Sequence, residues 1–126
     1  MKIDLHTHSS ASDGTQLPGE VIRSAAEAGL DVVALTDHDT TAGWEEAAEA
    51  AREHEVAFVP GTEVSCQTDD GISVHLLSYL HDPDHDGLNA EMARARDALA
   101  EAAGDRLVYP VEANEVFLRV SAAEAE

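Results

Sequence analysis

Four of the seven histidines stand near carboxylates at spacings suited to metal chemistry. His6 and His8 are separated by a single residue. On a strand, positions i and i+2 project to the same side, so two imidazoles can converge on one cation. Asp13 follows in the same polar stretch, and His38 lies within Thr36-Asp37-His38-Asp39. Glu63 comes just after a third apolar run, and His75 falls in a later alternating segment. Imidazole suits Zn, Fe and Mn, and a carboxylate can bridge two ions. Bridged ions clamp a phosphoryl group and generate hydroxide near neutral pH. The residues therefore predict metal-assisted hydrolysis, with His6, His8, Asp13, His38, Glu63 and His75 as metal ligands. Asp37 and Asp39 flank His38 and are candidates to orient it. A plain loop carboxylate or helix cap is the competing reading of both. No catalytic side chain can be assigned beyond the metal ligands, and none is identifiable as a general acid.

These residues need elements that bring them together. A strand is expected at Lys2–Leu5, followed by a polar loop through Gln16. Pro18 suits a first helical turn, Leu17, Val21, Ile22 and Ala25 repeat at helical spacing, and Gly29 marks the stop. Leu17 occupies the place of the usual Ser or Thr cap, a local cost of about 1 kcal/mol. Asp31–Thr36 is an apolar run of buried-strand type, Ala42–His54 is helical, and Val56–Pro60 is a third strand. This β-α-β-α-β order predicts a parallel sheet, with His6/His8, His38 and Glu63 at its carboxyl edge, where α/β sites are built. Asp69-Asp70-Gly71 reads as a hairpin turn between Glu63–Gln67 and Ile72–Leu80. Ile72, Val74, Leu76 and Leu80 then share one face and His75 the other. A polar loop follows at His81–Asp86. Leu88, Met92, Ala95 and Leu99 form a helical stripe that ends before Gly104.

Composition narrows the function classes. With 44% hydrophobic residues the chain is globular. No apolar run approaches the roughly 20 residues of a membrane span, and the N-terminal MKIDLHTH turns polar too early for a signal peptide. Cys66 is the only cysteine, so no intramolecular disulfide can form and a cytoplasmic location is expected. The formal charge of −19 opposes a general nucleic-acid-binding surface. It does not oppose a nucleotide at a site where cations invert the local field.

Asp4-Leu5-His6-Thr7-His8-Ser9, Ser12-Asp13-Gly14-Thr15, Leu35-Thr36-Asp37-His38-Asp39-Thr40, Pro60-Gly61-Thr62-Glu63-Val64-Ser65 and Val74-His75-Leu76-Leu77-Ser78-Tyr79 occur in that order. They resemble the first motifs of the PHP (polymerase and histidinol phosphatase) family, over about residues 1–95. Within the family the chain is most similar to stand-alone phosphoesterases with Asp at position 13, a group that includes nucleotide phosphatases and small-RNA exonucleases. The resemblance implies an α/β fold, a distorted β/α barrel, and a two- or three-metal phosphoesterase site. It implies that His6, His8 and Glu63 hold one ion, that Glu63 bridges to a second ion shared with His75, and that Asp13 and His38 serve a third. The divalent metal varies among Mn, Zn, Fe and Mg across the family.

The chain departs from that pattern in its second part. A complete β/α barrel needs roughly 200 residues or more, and this chain has 126, with no histidine after His85. The expectation is a partial barrel, the first half of a PHP-type barrel, mainly parallel with a hairpin insertion. Residues 1–103 would form the N-terminal part of the PHP domain and residues 104–126 a divergent tail. In that tail Val116, Leu118 and Val120 alternate like a strand. Pro110–Arg119 resembles a C-terminal segment of low-specificity threonine aldolases, which use pyridoxal phosphate. The only lysine is Lys2, so the tail cannot supply a Schiff base, and the likeness implies a recombined gene, not aldolase activity.

Two functions compete. One is a metal-dependent phosphoesterase acting on a small phosphoester or nucleotide through metal-bound hydroxide. The other is a truncated, non-catalytic remnant that binds metal weakly or needs oligomerisation, since a half-barrel exposes a sheet edge and apolar faces. Structural roles are expected elsewhere. His54 reads as a solvated helix end, and His81 and His85 as part of a polar loop, with an extra cation site as the alternative. Trp44 and Tyr79 read as packing residues, Tyr79 also as a pocket edge, and Cys66 as a small half-buried side chain.

Overall fold

The structure, a computed structural model, describes residues 1–103. The tail from 104 to 126, with its alternating Val116, Leu118 and Val120 and its aldolase-like Pro110–Arg119, lies outside the described residues. The elements run β1 (Ile3–Thr7), α1 (Pro18–Glu27), β2 (Val32–Leu35), α2 (Trp44–Glu53), β3 (Ala57–Gln67), β4 (Ser73–Tyr79) and α3 (Asp86–Ala103). The sheet order is β1-β2-β3-β4. β1 and β3 both pair with β2 in parallel, and β4 pairs antiparallel with β3. The result is a curled, mainly parallel α/β half-barrel.

Helix α1 forms where the spacing of Val21, Ile22 and Ala25 predicts it, and those residues are buried. Its Leu17 cap position is supported from within the helix: the Glu20 carboxylate accepts the Leu17 N–H at 3.0 Å. This is one arm of a capping box, and it offsets the missing cap hydroxyl. Gly29, at φ +76°, ends the helix in a conformation that other residues resist. Val21, Ile22 and Ala25 pack with Val33 and Leu35 of β2, Ala47 and Ala51 of α2, and Val56. The small alanines let α2 lie close against α1.

Two expectations need correction. The third strand does not end at Pro60. Ala57–Gln67 is continuous, so Glu63 sits within a strand, and the antiparallel hairpin with β4 grows directly from it. Pro60 is tolerated because it stands where the pairing changes. It faces Leu35 at the end of β2, while its carbonyl accepts the Leu80 N–H at 2.9 Å on the other side. Strand β1 runs to Thr7, two residues beyond the predicted end. Its register with β2 slips between Asp4 and Thr7, where three steps along β1 match two along β2.

The Asp69-Asp70-Gly71 turn forms as expected, with Gly71 at φ +84° and Thr68 exchanging hydrogen bonds with Gly71 and Ile72. The alternating face that follows is not buried, however. Ile72, Val74 and Leu76 are 42–60% exposed, and so are Ile3 and Leu5 of β1 at 51% and 42%. Apart from Ile72, which just precedes β4, these residues lie on the two outer strands of the sheet, and no described element covers their side chains. The sheet's curl still brings the outer strands together at one point, where the Tyr79 hydroxyl donates to the Leu5 carbonyl at 2.7 Å. Helix α3 packs on β3 and buries Met92. No helix among the described residues is long and apolar enough to cross a membrane.

Ile22 is fully buried at the centre of the α1–β2–α2 core. Ile22→Ala should lower unfolding free energy by about 2–5 kcal/mol in a urea titration. A loss under about 0.5 kcal/mol would show that this core is not where stability resides.

Candidate metal centre

Glu63 is the point at which the strands meet. It is 7% exposed, and four imidazoles surround its carboxylate. His6 Nε2, from β1, lies 2.8 Å from Oε2, and His75 Nδ1, from β4, lies 2.8 Å from Oε1. His8 Nε2 approaches Oε2 to 3.0 Å and His38 Nε2 to 3.7 Å. Asp13 completes the cluster, with its carboxylate 3.0 Å from His8 Nδ1 and 3.8 Å from His38 Nε2. The structure thus brings all six sequence-predicted ligands together. The rings of His6, His8, His38 and His75 form a chain with centroid separations of 4.6–5.0 Å.

Sheet register explains this convergence. Leu35 pairs with Pro60, and His38 pairs with Glu63, both at an interval of 25 residues. The chain beyond β2 therefore continues alongside β3 without slipping, which sets His38 against Glu63. Glu63 N–H donates to the Asp37 carbonyl at 3.2 Å, and Asp39 N–H to the Glu63 carbonyl at 3.0 Å. His75 shares a face with Glu63 because Ser65 pairs with His75 and Glu63 with Leu77. The slip in β1 lies beside His6, and extra residues of this kind re-aim side chains next to functional sites.

Asp37 and Asp39 are both buried and do different work. Asp37 accepts from Ser9 N–H at 2.7 Å, Ser9 Oγ at 2.7 Å and Ser12 Oγ at 2.6 Å. It thereby ties the loop that carries Asp13 to the end of β2. Gly14 closes the same loop, and a Cβ there would stand 2.5 Å from the His8 carbonyl oxygen, so only glycine permits the approach. Asp39 turns at φ +51° and accepts the Ser65 N–H through Oδ1 at 2.8 Å. Between them the two carboxylates thus bond Ser9, Ser12 and Ser65, and neither bonds the His38 ring that they flank. Ser9, Ser12 and the α3 residue Arg96, whose guanidinium donates to the Asp39 carbonyl, were not singled out by sequence. The serines carried a signal, being small hydroxyls beside the HxH motif. Arg96 carried none, lying 57 residues from its partner.

Burial lowers the pKa of His38, and neighbouring His8 and His75 add to this against the opposing pull of Glu63 and Asp13. Burial alone would raise Glu63, but the hydrogen bond from His6, the charge of His38 and the hydrogen bond from His75 outweigh it, and the carboxyl titrates below its ordinary range. His38 is therefore set toward its neutral form and Glu63 toward its ionised form, the states that metal binding requires.

The donor set fits divalent ions. Three groups, His6/His8/Glu63, His8/Asp13/His38 and His38/Glu63/His75, each hold their ligand atoms within 4.8 Å of one another. Atoms bound about 2.1 Å from one ion stand at most about 4.2 Å apart, so small side-chain shifts would close each group around an ion. His8 Nδ1 and His38 Nδ1 are buried without a hydrogen-bond partner, although Asp13 lies 3.0 Å from His8 Nδ1. An unsatisfied buried nitrogen is costly, and a cation shared with Asp13 would satisfy His8 Nδ1, whereas His38 faces the cluster through Nε2.

The remaining histidines lie outside these groups. His54 closes α2. His85 Nδ1 accepts the Leu88 N–H at 3.1 Å at the start of α3. His81 meets Ser78 Oγ at 3.0 Å and lies against Trp44. His54 and His85 are exposed, as the sequence reading has them, whereas His81 is partly buried and its Nε2 has no hydrogen-bond partner among the described residues. Trp44 donates to the Gly61 carbonyl at 2.8 Å, and Cys66 is half-buried.

Residues 4–118 match the family described as PHP domain. The chain is 38% identical over 109 residues to a 5'-3' exoribonuclease of Haemophilus influenzae, covering 84% of this chain and 39% of that protein. It is 42% identical over 101 residues to a 3',5'-nucleoside bisphosphate phosphatase of Chromobacterium violaceum, covering 80% and 35%. A solved structure from Bifidobacterium adolescentis, assigned as a metal-dependent phosphoesterase, superposes with a TM-score of 0.76 at 37% identity, covering 85% and 37%. The chain therefore spans less than two-fifths of the length of each of these three proteins.

Two outcomes are expected here. Asp37→Asn should cost about 1–3 kcal/mol in chemical denaturation, because one acceptor oxygen becomes a donor facing donors. Unchanged stability would remove Asp37 as the loop's anchor. The second concerns pH. His38 and Glu63 both bind protons more readily in the unfolded chain, so acid favours unfolding. Stability of the metal-free chain should fall as pH drops below about 6.5, from His38, and again below about 4.5, from Glu63. Thermal melts across that range should show both losses, with His38→Gln reducing the first, to which the partly buried His81 also contributes; a flat profile contradicts the account.

Proposed function

The chain belongs to the PHP domain family, and from that premise we propose that it carries part of a metal-dependent phosphoesterase site acting on a small phosphoester or nucleotide. The observation that carries this reading is one buried carboxylate, Glu63, approached by four imidazoles. His6, His8 and Glu63 would hold one ion, Glu63 and His75, with His38, would hold a second, and Asp13, His38 and His8 would serve a third. Mn, Zn, Fe and Mg all suit such a mixed imidazole and carboxylate set. Divalent ions held there supply Lewis-acid stabilisation of phosphoryl charge and acidify a coordinated water. Asp37 keeps the Asp13 loop in place, and Asp39 holds the turn after His38 against β3. No side chain is assigned as general acid.

The charge of −19 favours a small substrate over a long nucleic acid, because only the cation-filled site can offset it. A nucleotide class agrees with the phosphatase and exoribonuclease names of the relatives. The cytoplasmic location rests on the lone Cys66. The division into a PHP part at 1–103 and a separate tail at 104–126 remains part of the proposal.

A second reading has its own observation. The outer strands, with Ile72 just before β4, expose Ile3, Leu5, Val74 and Leu76, and the matched relatives are more than twice as long. On this reading the chain binds metal but lacks turnover, or gains it only as a homo-oligomer. The experiment is to purify the chain, measure bound metal, and assay p-nitrophenyl phosphate and nucleoside bisphosphates with added Mn or Zn, alongside sedimentation. Stoichiometric metal with turnover abolished by His8→Ala supports the phosphoesterase. Metal without turnover supports the second reading, and absence of metal binding under every ion rejects both.

A further inference from the structure

We infer that Arg96 of α3 is a positioning residue for the candidate metal centre, acting through the Asp39 carbonyl on the turn that presents His38. Its guanidinium donates from Nη1 to that carbonyl, 57 residues away in sequence. This contact brings α3 to the same side of β3 as the cluster.

The bond is an unusual use of an arginine in this chain. Acidic residues outnumber basic ones 26 to 7, and Arg23 and Arg94 pair with glutamates on their own helices. Arg96 instead serves a neutral carbonyl. Met92, one turn earlier, is buried and holds that face of α3 against the body of the protein.

The carbonyl it serves needs a fixed direction. Asp39 is fully buried and turns in the left-handed region at φ +51°, which the backbone adopts only when its surroundings over-determine it. Three bonds do so. Its N–H goes to the Glu63 carbonyl at 3.0 Å, its Oδ1 takes the Ser65 N–H at 2.8 Å, and its carbonyl takes the Arg96 charge-assisted bond. The first two tie the turn to β3, and only the third comes from outside the sheet. His38 is the preceding residue, and its ring lies 3.7 Å from Glu63. Loss of the arginine would leave a buried carbonyl unpaired and the turn free to relax. His38 would then lose its fixed approach to Glu63 and Asp13.

The test uses the full chain. Arg96→Met keeps length and apolar packing but removes every donor, and Arg96→Lys restores one. Amide exchange at Asp39, Glu63 and Ser65 should become about tenfold faster in Arg96→Met, with Val33 and Leu35 unchanged. Lysine should restore part of the protection. In the unaltered chain, a guanidinium proton of Arg96 should exchange more slowly than those of Arg23 and Arg94. Mn affinity should fall about tenfold in Arg96→Met, as loss of a residue that orients a ligand would produce. This last readout rests on the metal reading, whereas the exchange readouts do not. If the unaltered chain binds no metal, the proposed function fails while exchange still decides the role of Arg96. Unchanged exchange at the three amides overturns the inference. So does uniform acceleration throughout the core, which would mean that α3 only props the fold.

Discussion

A carboxylate withdrawn from water must be matched by nearby donors or positive charge, or it destabilises the fold. Glu63 imposes that constraint here. Its match comes from β1 through His6, from the loop after β1 through His8, from the turn after β2 through His38, and from β4 through His75. Every strand of the sheet thus has an end committed to one side chain. The curl of the sheet, the continuity of β3 and the register of the hairpin can all be understood as what this convergence requires.

Around that centre lies a second set of buried polar bonds, of which few are visible from outside. Asp37 gathers three donors from Ser9 and Ser12, and the Thr7 hydroxyl reaches the Ala34 carbonyl at 2.6 Å. Thr62 Oγ1 donates to the Thr40 carbonyl at 3.2 Å. Such networks fix geometry when fully satisfied and are costly when partly satisfied. The orphaned nitrogens of His8 and His38 stand out against this background. Of these, His8 Nδ1 lies beside Asp13, where a cation could use it. The apolar core of α1, β2 and α2 lies away from this region and supports it without entering it.

The legibility of the chain was uneven, for physical reasons. Helix α1 and the turn at Gly71 were readable because their signals are local: a helical stripe, a proline at the start, a glycine with positive φ. The six candidate ligands were readable because HxH, TDHD and the glutamate after Pro60-Gly61-Thr62 keep their chemistry at close spacing. The unbroken β3 was not. Proline and glycine ordinarily signal an end, and only the exchange of partners at Pro60 makes the strand continuous. The exposed face of Ile72, Val74 and Leu76 was equally hidden, since alternation shows that residues share a face but not what covers it.

The sequence by itself showed which donor types are at hand, because imidazole and carboxylate keep their preference for divalent ions in any fold that gathers them. It also determined most of the elements, though not the continuity of β3, because hydrophobic period and turn residues act over a few positions. Tertiary structure alone decided that Glu63 is the shared centre, that Asp37 secures the loop of Asp13, and that an arginine 57 residues away holds the turn of His38. Those relations depend on strand register and helix docking. Both are set by the burial of the whole core and the pairing of all four strands, and no short stretch of sequence contains that sum.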